Sequence, residues 1–140
     1  LGKRVVVVGG NAQAVDVVLM LLEQGRQVDI VMPGAIETLD SGQSNWVKTF
    51  VLPAMYARGV RVWPGASGLQ VGDGEVSFTT EGGVSMTLPC DAVVEALDML
   101  PSAEVFGEVA GAEVVAVGDC VDPWNIQWAI TSGNLAGRGI

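Results

Sequence analysis

The sequence predicts an α/β protein: a three-layer domain on a mainly parallel sheet, with an antiparallel β-meander added. Three observations carry this. Val5 to Val8 is a run of four β-branched residues broken at once by Gly9-Gly10. An amphipathic run then leads to Gly25, and a second apolar stretch, Gln27 to Met32, follows it directly. From Ala66 to Leu88 the pattern changes to short alternating segments punctuated by Gly72-Asp73-Gly74 and Glu81-Gly82-Gly83.

The elements follow in order. Lys3 to Gly9 holds an apolar run too short to span a membrane, which reads as a strand buried on both faces. Ala12 to Gln24 is a helix, with Val15, Val18, Leu19 and Leu22 at helical spacing and Gly25 as its C′ glycine. Gln27 to Met32 is the next strand, ended by the turn Met32-Pro33-Gly34. This β-α-β unit, with a glycine turn between strand and helix, is Rossmann-like. Ala35 to Gly42 reads as irregular. Ser44 caps a helix to about Arg58, marked by Trp46, Phe50, Met55 and Tyr56, and Pro53 should kink or split it. Gly59 closes it, and Val60 to Trp63 is a third strand. The alternating region gives a three-stranded meander, since Asp-Gly and Gly-Gly are hairpin signals. Asp91 to Ala96 returns to a buried strand. After a loop at Leu100-Pro101-Ser102, Val105 to Gly111 has no periodic signal. Glu113 to Val117 is a last buried strand, and a helix runs from Pro123 or Trp124 to Arg138, with Asp122 as N-cap.

Composition narrows the function. The chain of 140 residues carries a net charge of −9 with seven scattered basic residues, which argues against nucleic acid and anionic membranes as partners. No stretch has the length of a membrane span. Cys90 and Cys120 form no Cys-x-x-Cys pair, so reduced cytoplasmic thiols are expected and a metal site is not. Histidine is absent, which removes the commonest general acid-base group and argues against self-contained hydrolytic chemistry. The chain opens on Leu1 and goes straight into a strand, as a piece of a longer polypeptide would.

The turn is the candidate site. Its ideal form is Gly-x-Gly-x-x-Gly, and this chain reads Gly9, Gly10, Asn11, Ala12, Gln13, Ala14. Gly9 keeps the tight turn, and Ala14 is small enough for close helix-strand packing. Asn11 stands where the second glycine lets a pyrophosphate approach, although asparagine tolerates left-handed angles. The end of the second strand offers Met32 in place of the Asp or Glu that would accept from ribose hydroxyls, and no Arg or Lys there reads a 2′-phosphate. Asp29 reads as an exposed sheet edge. Free N–H groups at the start of the helix would still attract a small anion. Trp46, Trp63, Trp124 and Trp128 read as core or interface, with Trp124 and Trp128 on one helix face turned to another domain or a partner.

This order of parts, ending in Val117-Gly118-Asp119-Cys120 before a helix with Ala129 and Gly133, resembles the two-dinucleotide-domain flavoproteins. Within them it looks most like the C-terminal region of the NADH:flavin oxidoreductases of the Old Yellow Enzyme type, the group of dienoyl-CoA reductases, enoate reductases and trimethylamine and histamine dehydrogenases. The resemblance implies that residues 1–101 are an inserted NAD(P)-binding-type Rossmann domain. Residues 102–140 would be the last segment of the surrounding FAD/ADP-type domain. NAD(H) is the cofactor implied for the turn, with Ala96 and Leu97 passing beneath it. There Asp98 replaces a family glycine and puts negative charge near the phosphates. Gly118 and Asp119 would contact the sugar hydroxyls of a flavin nucleotide, FAD or FMN. The implied partners are a flavin barrel and the first half of the FAD/ADP-type domain, both outside this chain, together with a redox partner. The whole would be a cytoplasmic oxidoreductase that supplies or relays reducing equivalents to a flavin. The fragment alone, without catalytic residues of its own, should be silent. The competing reading is a degenerate Rossmann domain kept as scaffold or docking surface.

Overall fold

Four consecutive valines leave strand β1 (Arg4–Val8) without a polar face, and it lies inside a parallel sheet of order β3-β2-β1-β7. The computed structural model describes residues 2–102 and 111–139. Strand β1 pairs on one side with β2 (Gln27–Val31) and on the other with β7 (Ala92–Glu95), while β3 (Arg61–Trp63) pairs with the far side of β2. Helix α1 (Ala12–Glu23) joins β1 to β2, and α2 (Asn45–Ala57) joins β2 to β3. Three further strands, β4 (Ser67–Val71), β5 (Glu75–Thr79) and β6 (Ser85–Pro89), form a separate antiparallel sheet in that order.

The two-residue period of β1 divides the interior. Val5 and Val7 pack with Val28, Ile30, Val15, Val18 and Leu21 on the helix side. Val6 and Val8 pack with Val76, Phe78 and Leu88 of the meander on the other. Helices, parallel sheet and meander are therefore three layers, with β1 feeding both cores. Each fully buried valine contributes about 1.5–3 kcal/mol by leaving water.

Local detail departs from the residue pattern at several places. The buried face of α1 is Ala14, Val15, Val18 and Leu21, with Leu19 and Leu22 half-buried. Ser44 caps α2 as expected, accepting from the Val47 N–H at 3.4 Å. The helix runs unbroken through Pro53, however. Pro53 and Thr49 are both exposed, so the carbonyl that loses its partner can be hydrated. Of its four apolar markers only Met55 is buried. Trp46 is 74% exposed and meets Phe50 edge-on at 5.2 Å, because only one side of this helix faces the sheet. The 35–42 segment contains a 3-10 turn, Ile36–Thr38. Strand β7 is half-buried rather than fully covered.

The described residues fall into two compact units, one ending at Leu97 and one beginning at Asp98. In the second, a 3-10 turn (Gly118–Cys120) precedes helix α3 (Ile126–Gly139). Its cap is Asn125, whose Oδ1 accepts from the Trp128 N–H at 2.8 Å, and not Asp122. Trp124 consequently lies ahead of the helix and shares no helix face with Trp128. Residues 113–117 form no strand, and Val114 and Val115 are exposed. A strand needs a neighbour to bond its backbone, and no strand of the second unit occurs among the described residues. The aperiodic stretch 105–110 lies outside the described residues. Among the described residues, no helix is long and apolar enough to cross a membrane, and no cluster of His, Cys, Asp and Glu could hold a metal ion.

Candidate functional site

The glycine turn closes the C-terminal end of β1. Gly9 has φ +131°, and a Cβ there would lie 2.0 Å from the Ala96 carbonyl oxygen. Glycine is required twice over, by the backbone angle and by the approach of the chain leaving β7. Ala96 is fastened there by its N–H, which donates to the Val8 carbonyl at 2.8 Å. A Cβ on Gly10 would meet Met32 Cε at 2.6 Å. Met32 is only 2% exposed, so it fills the space beside Gly10 rather than standing open at the strand end. Ala14 is fully buried, which explains the small residue at the third glycine position.

The start of α1 is engaged from within. Asn11 is not left-handed: at φ −75° and ψ −179° it is the extended N-cap, and its Oδ1 accepts from the Ala14 N–H at 2.9 Å. Its Nδ2 donates to the Leu97 carbonyl at 3.2 Å. The Ala12 N–H donates to the Ser41 carbonyl at 3.1 Å. Two of the donors expected to attract an anion, the Ala12 and Ala14 N–H groups, are thus already bonded to the chain. Gln13 beside them is exposed. Asn11 and Ser41 form a parallel bridge, and the Asp40 N–H donates to the Gly10 carbonyl at 2.6 Å. The loop after β2 therefore folds back along the turn, which nothing in the aperiodic pattern of 35–42 foreshadows.

Asp40, on that loop, was not singled out by its sequence. It is 2% exposed and sits at φ +59°, and its Oδ2 has no hydrogen-bond partner among the described residues. Burial pushes the carboxyl above its ordinary value; Lys48 draws it down and Asp16 pushes it up. The Lys48 Nζ donates to the neighbouring Leu39 carbonyl at 3.0 Å. Asp29 also differs from expectation. Strand β2 is interior, and the half-buried carboxylate accepts from Arg61 Nε and Nη2 at 2.6 and 2.7 Å and from Trp63 Nε1 at 3.3 Å.

The first unit thus gathers residues 9–14, Met32, Ala96 and Leu97 at one place. Gly118 and Asp119 belong to the second. Gly118 has φ +71°, which accounts for the glycine; its N–H donates to Ser132 Oγ at 3.0 Å, and the turn lies in ordinary contact with Ala129 on the helix. Asp119 and Asp98 are exposed.

The fold has counterparts among solved structures. A complex of 2-naphthoyl-CoA reductase with 2-naphthoyl-CoA superposes with a TM-score of 0.82 at 24% identity, covering 100% of this chain and 21% of that one. Histamine dehydrogenase from Rhizobium sp. 4-9 gives 0.82 at 20% identity, covering 99% and 23%. This chain shares their fold. The fold expected from the resemblance to the NADH:flavin oxidoreductases is thereby met. A more distant likeness, TM-score 0.64 at 15% identity over 95% of this chain and 34% of the other, is to the HOCl-induced flavoprotein disulfide reductase RclA of Escherichia coli. The chain spans between a fifth and a quarter of the length of the first two. No family model and no curated protein sequence matches it.

Proposed function

We propose that the chain is a nucleotide-binding-type domain of a flavin-dependent oxidoreductase in which the Gly9 turn has become a structural joint. The observation carrying this is the engagement of the turn: the Ala12 and Ala14 N–H groups are bonded to Ser41 and Asn11, and Met32 packs against Gly10. A pyrophosphate would have to displace those bonds, and a ribose would find no carboxylate at the end of β2. The residues at the turn do not fit a pyridine dinucleotide.

On this reading the chain is scaffold and docking surface within a cytoplasmic redox enzyme. Residues 1–101 are the NAD(P)-type domain, and residues 102–140 complete an FAD/ADP-type domain. The flavin, which accepts and passes on electrons when bound, lies mainly on other parts of that polypeptide. The exposed Asp119 is the group of this chain that would hold its sugar hydroxyls. The second reading, a domain that relays reducing equivalents from NADH to the flavin, is supported by the kinship in fold with a dehydrogenase and reductases.

Calorimetric titration of the chain with NADH separates the two. The scaffold reading requires a Kd of about 1 mM or weaker, equivalent to about 4 kcal/mol or less. Micromolar binding, with amide shifts at residues 11–14, would overturn it and leave the relay reading standing.

A further inference from the structure

We propose that the outer face of α2 pairs with a second copy of this chain, the two α2 helices running antiparallel about a two-fold axis. The face involves no residue of the glycine turn, so the pairing stands or falls independently of the function proposed above. Helix α2 is apolar on both sides. Met55 is fully buried, and Val51 and Leu52 pack beside it against the helix-side core. On the opposite side Trp46 is 74% exposed and Phe50 59%, and Pro53 and Ala57 are exposed with them. A helix that is hydrophobic all round belongs in an interior, so a second surface is needed to cover this one.

The residues on that side indicate what the covering surface is. Trp46, Phe50, Pro53 and Ala57 follow one another at steps of four, three and four, the spacing of a seam packed by another helix. The two large side chains occupy the first half of the seam and the two small ones the second half. Antiparallel pairing sets Trp46 against Ala57 of the second copy and Phe50 against Pro53 of the second copy. The two-fold repeats both contacts in reverse, so each bulky ring meets a small residue. Charge agrees with this. Residues 41–72 contain none of the sixteen acidic residues of a chain whose net charge is −9, so the two helices bring no carboxylates of their own into opposition. Trp46 and Phe50, already in edge-on contact, and the exposed Tyr56 offer about 400 Å² of aromatic surface in each copy. With Pro53, Ala54 and Ala57 the two copies together would bury about 1,000 Å², the lower limit for a specific interface, so the dimer is weak and reversible.

Sedimentation equilibrium of the whole chain, from micromolar to millimolar concentration, is the test. Trp46→Ala removes the largest ring of the seam, and the double variant Trp46→Ala with Ala57→Trp moves that ring to the other end. Both positions are exposed, so folding is retained, as circular dichroism checks. The parent should show a monomer–dimer equilibrium, weakened about ten-fold or more in Trp46→Ala. The double variant should recover most of the loss, because the two-fold again sets tryptophan against alanine. Amide shifts on dilution should centre on residues 46–57. A chain that stays monomeric throughout, leaving the face to another protein or to a further segment of a longer polypeptide, would overturn the proposal. So would association beyond a dimer, a dimer indifferent to Trp46→Ala, or a double variant no better than Trp46→Ala alone.

Discussion

Replacing Asp40 by asparagine should stabilise the protein at neutral pH. The carboxylate is 2% exposed, and its Oδ2 has no partner among the described residues. Leaving such a group unbonded in the interior costs about 1–3 kcal/mol. Asparagine keeps the shape, removes the charge and tolerates the positive φ of +59°. It forfeits the attraction of Lys48 and brings an amide that also lacks partners, so the net gain expected is about 1 kcal/mol, or about 4–8 °C in Tm for a unit of this size. The pH dependence gives the sharper signature. Because burial holds the folded carboxyl above its ordinary value, the native state binds that proton more tightly than the unfolded chain. Native stability then falls as pH rises from about 4 through the raised value, and the deficit is complete above it. Urea unfolding of both proteins across this range should show the advantage of Asp40→Asn at neutral pH, closing as pH falls. A variant no more stable than the parent at pH 7, or a difference that does not change with pH, would refute the reasoning.

Asp91, held at about 2 by the bond from Arg4 Nη2 and by the backbone N–H groups of Arg4 and Lys3, gives the opposite pH response. Its contribution is present above the ordinary carboxylate range and lost as pH falls toward 2; carboxyl chemical shifts against pH should show the depressed midpoint, and Asp91→Asn should flatten the acid limb of stability. Asn11→Ala removes the acceptor of the Ala14 N–H and should cost about 1 kcal/mol in urea unfolding, with Asn11→Ser retaining most of it. Gly9→Ala places a methyl group 2.0 Å from the Ala96 oxygen at a backbone angle L-residues rarely adopt. It should cost more than about 3 kcal/mol or abolish folding, as circular dichroism would report. Met55→Ala empties a fully buried position on α2 and should cost about 2–5 kcal/mol.

What the sequence disclosed depended on whether a signal was local. Val5 to Val8, the Gly9 break and the Asp73-Gly74 and Gly82-Gly83 turns each declare their conformation within a few residues, and the parallel sheet and meander follow from them. Met32 as a poor ribose acceptor was readable for the same reason. The backbone bonds from Ala12 to Ser41 and from Asp40 to Gly10 were not, because they join segments about thirty residues apart through groups every residue carries. The burial of Asp40 and the engagement of Asp29 by Arg61 and Trp63 are likewise products of tertiary neighbours. The strand expected at residues 113–117 fails for a related reason: its apolar pattern is local, but the partner strand it needs is not.

The double duty of β1 bears on how the protein is made. Its register partner Ala92 lies 87 positions after Val5, and the meander that covers its other face is also downstream. At ribosomal rates of about 5–20 residues per second, this four-valine segment waits on the order of ten seconds before its last neighbour exists. It has the character of an aggregation-prone segment, being β-branched, uncharged and free of proline. Nascent chains should therefore be most vulnerable to self-association, and most dependent on chaperones, between the emergence of β1 and that of β7.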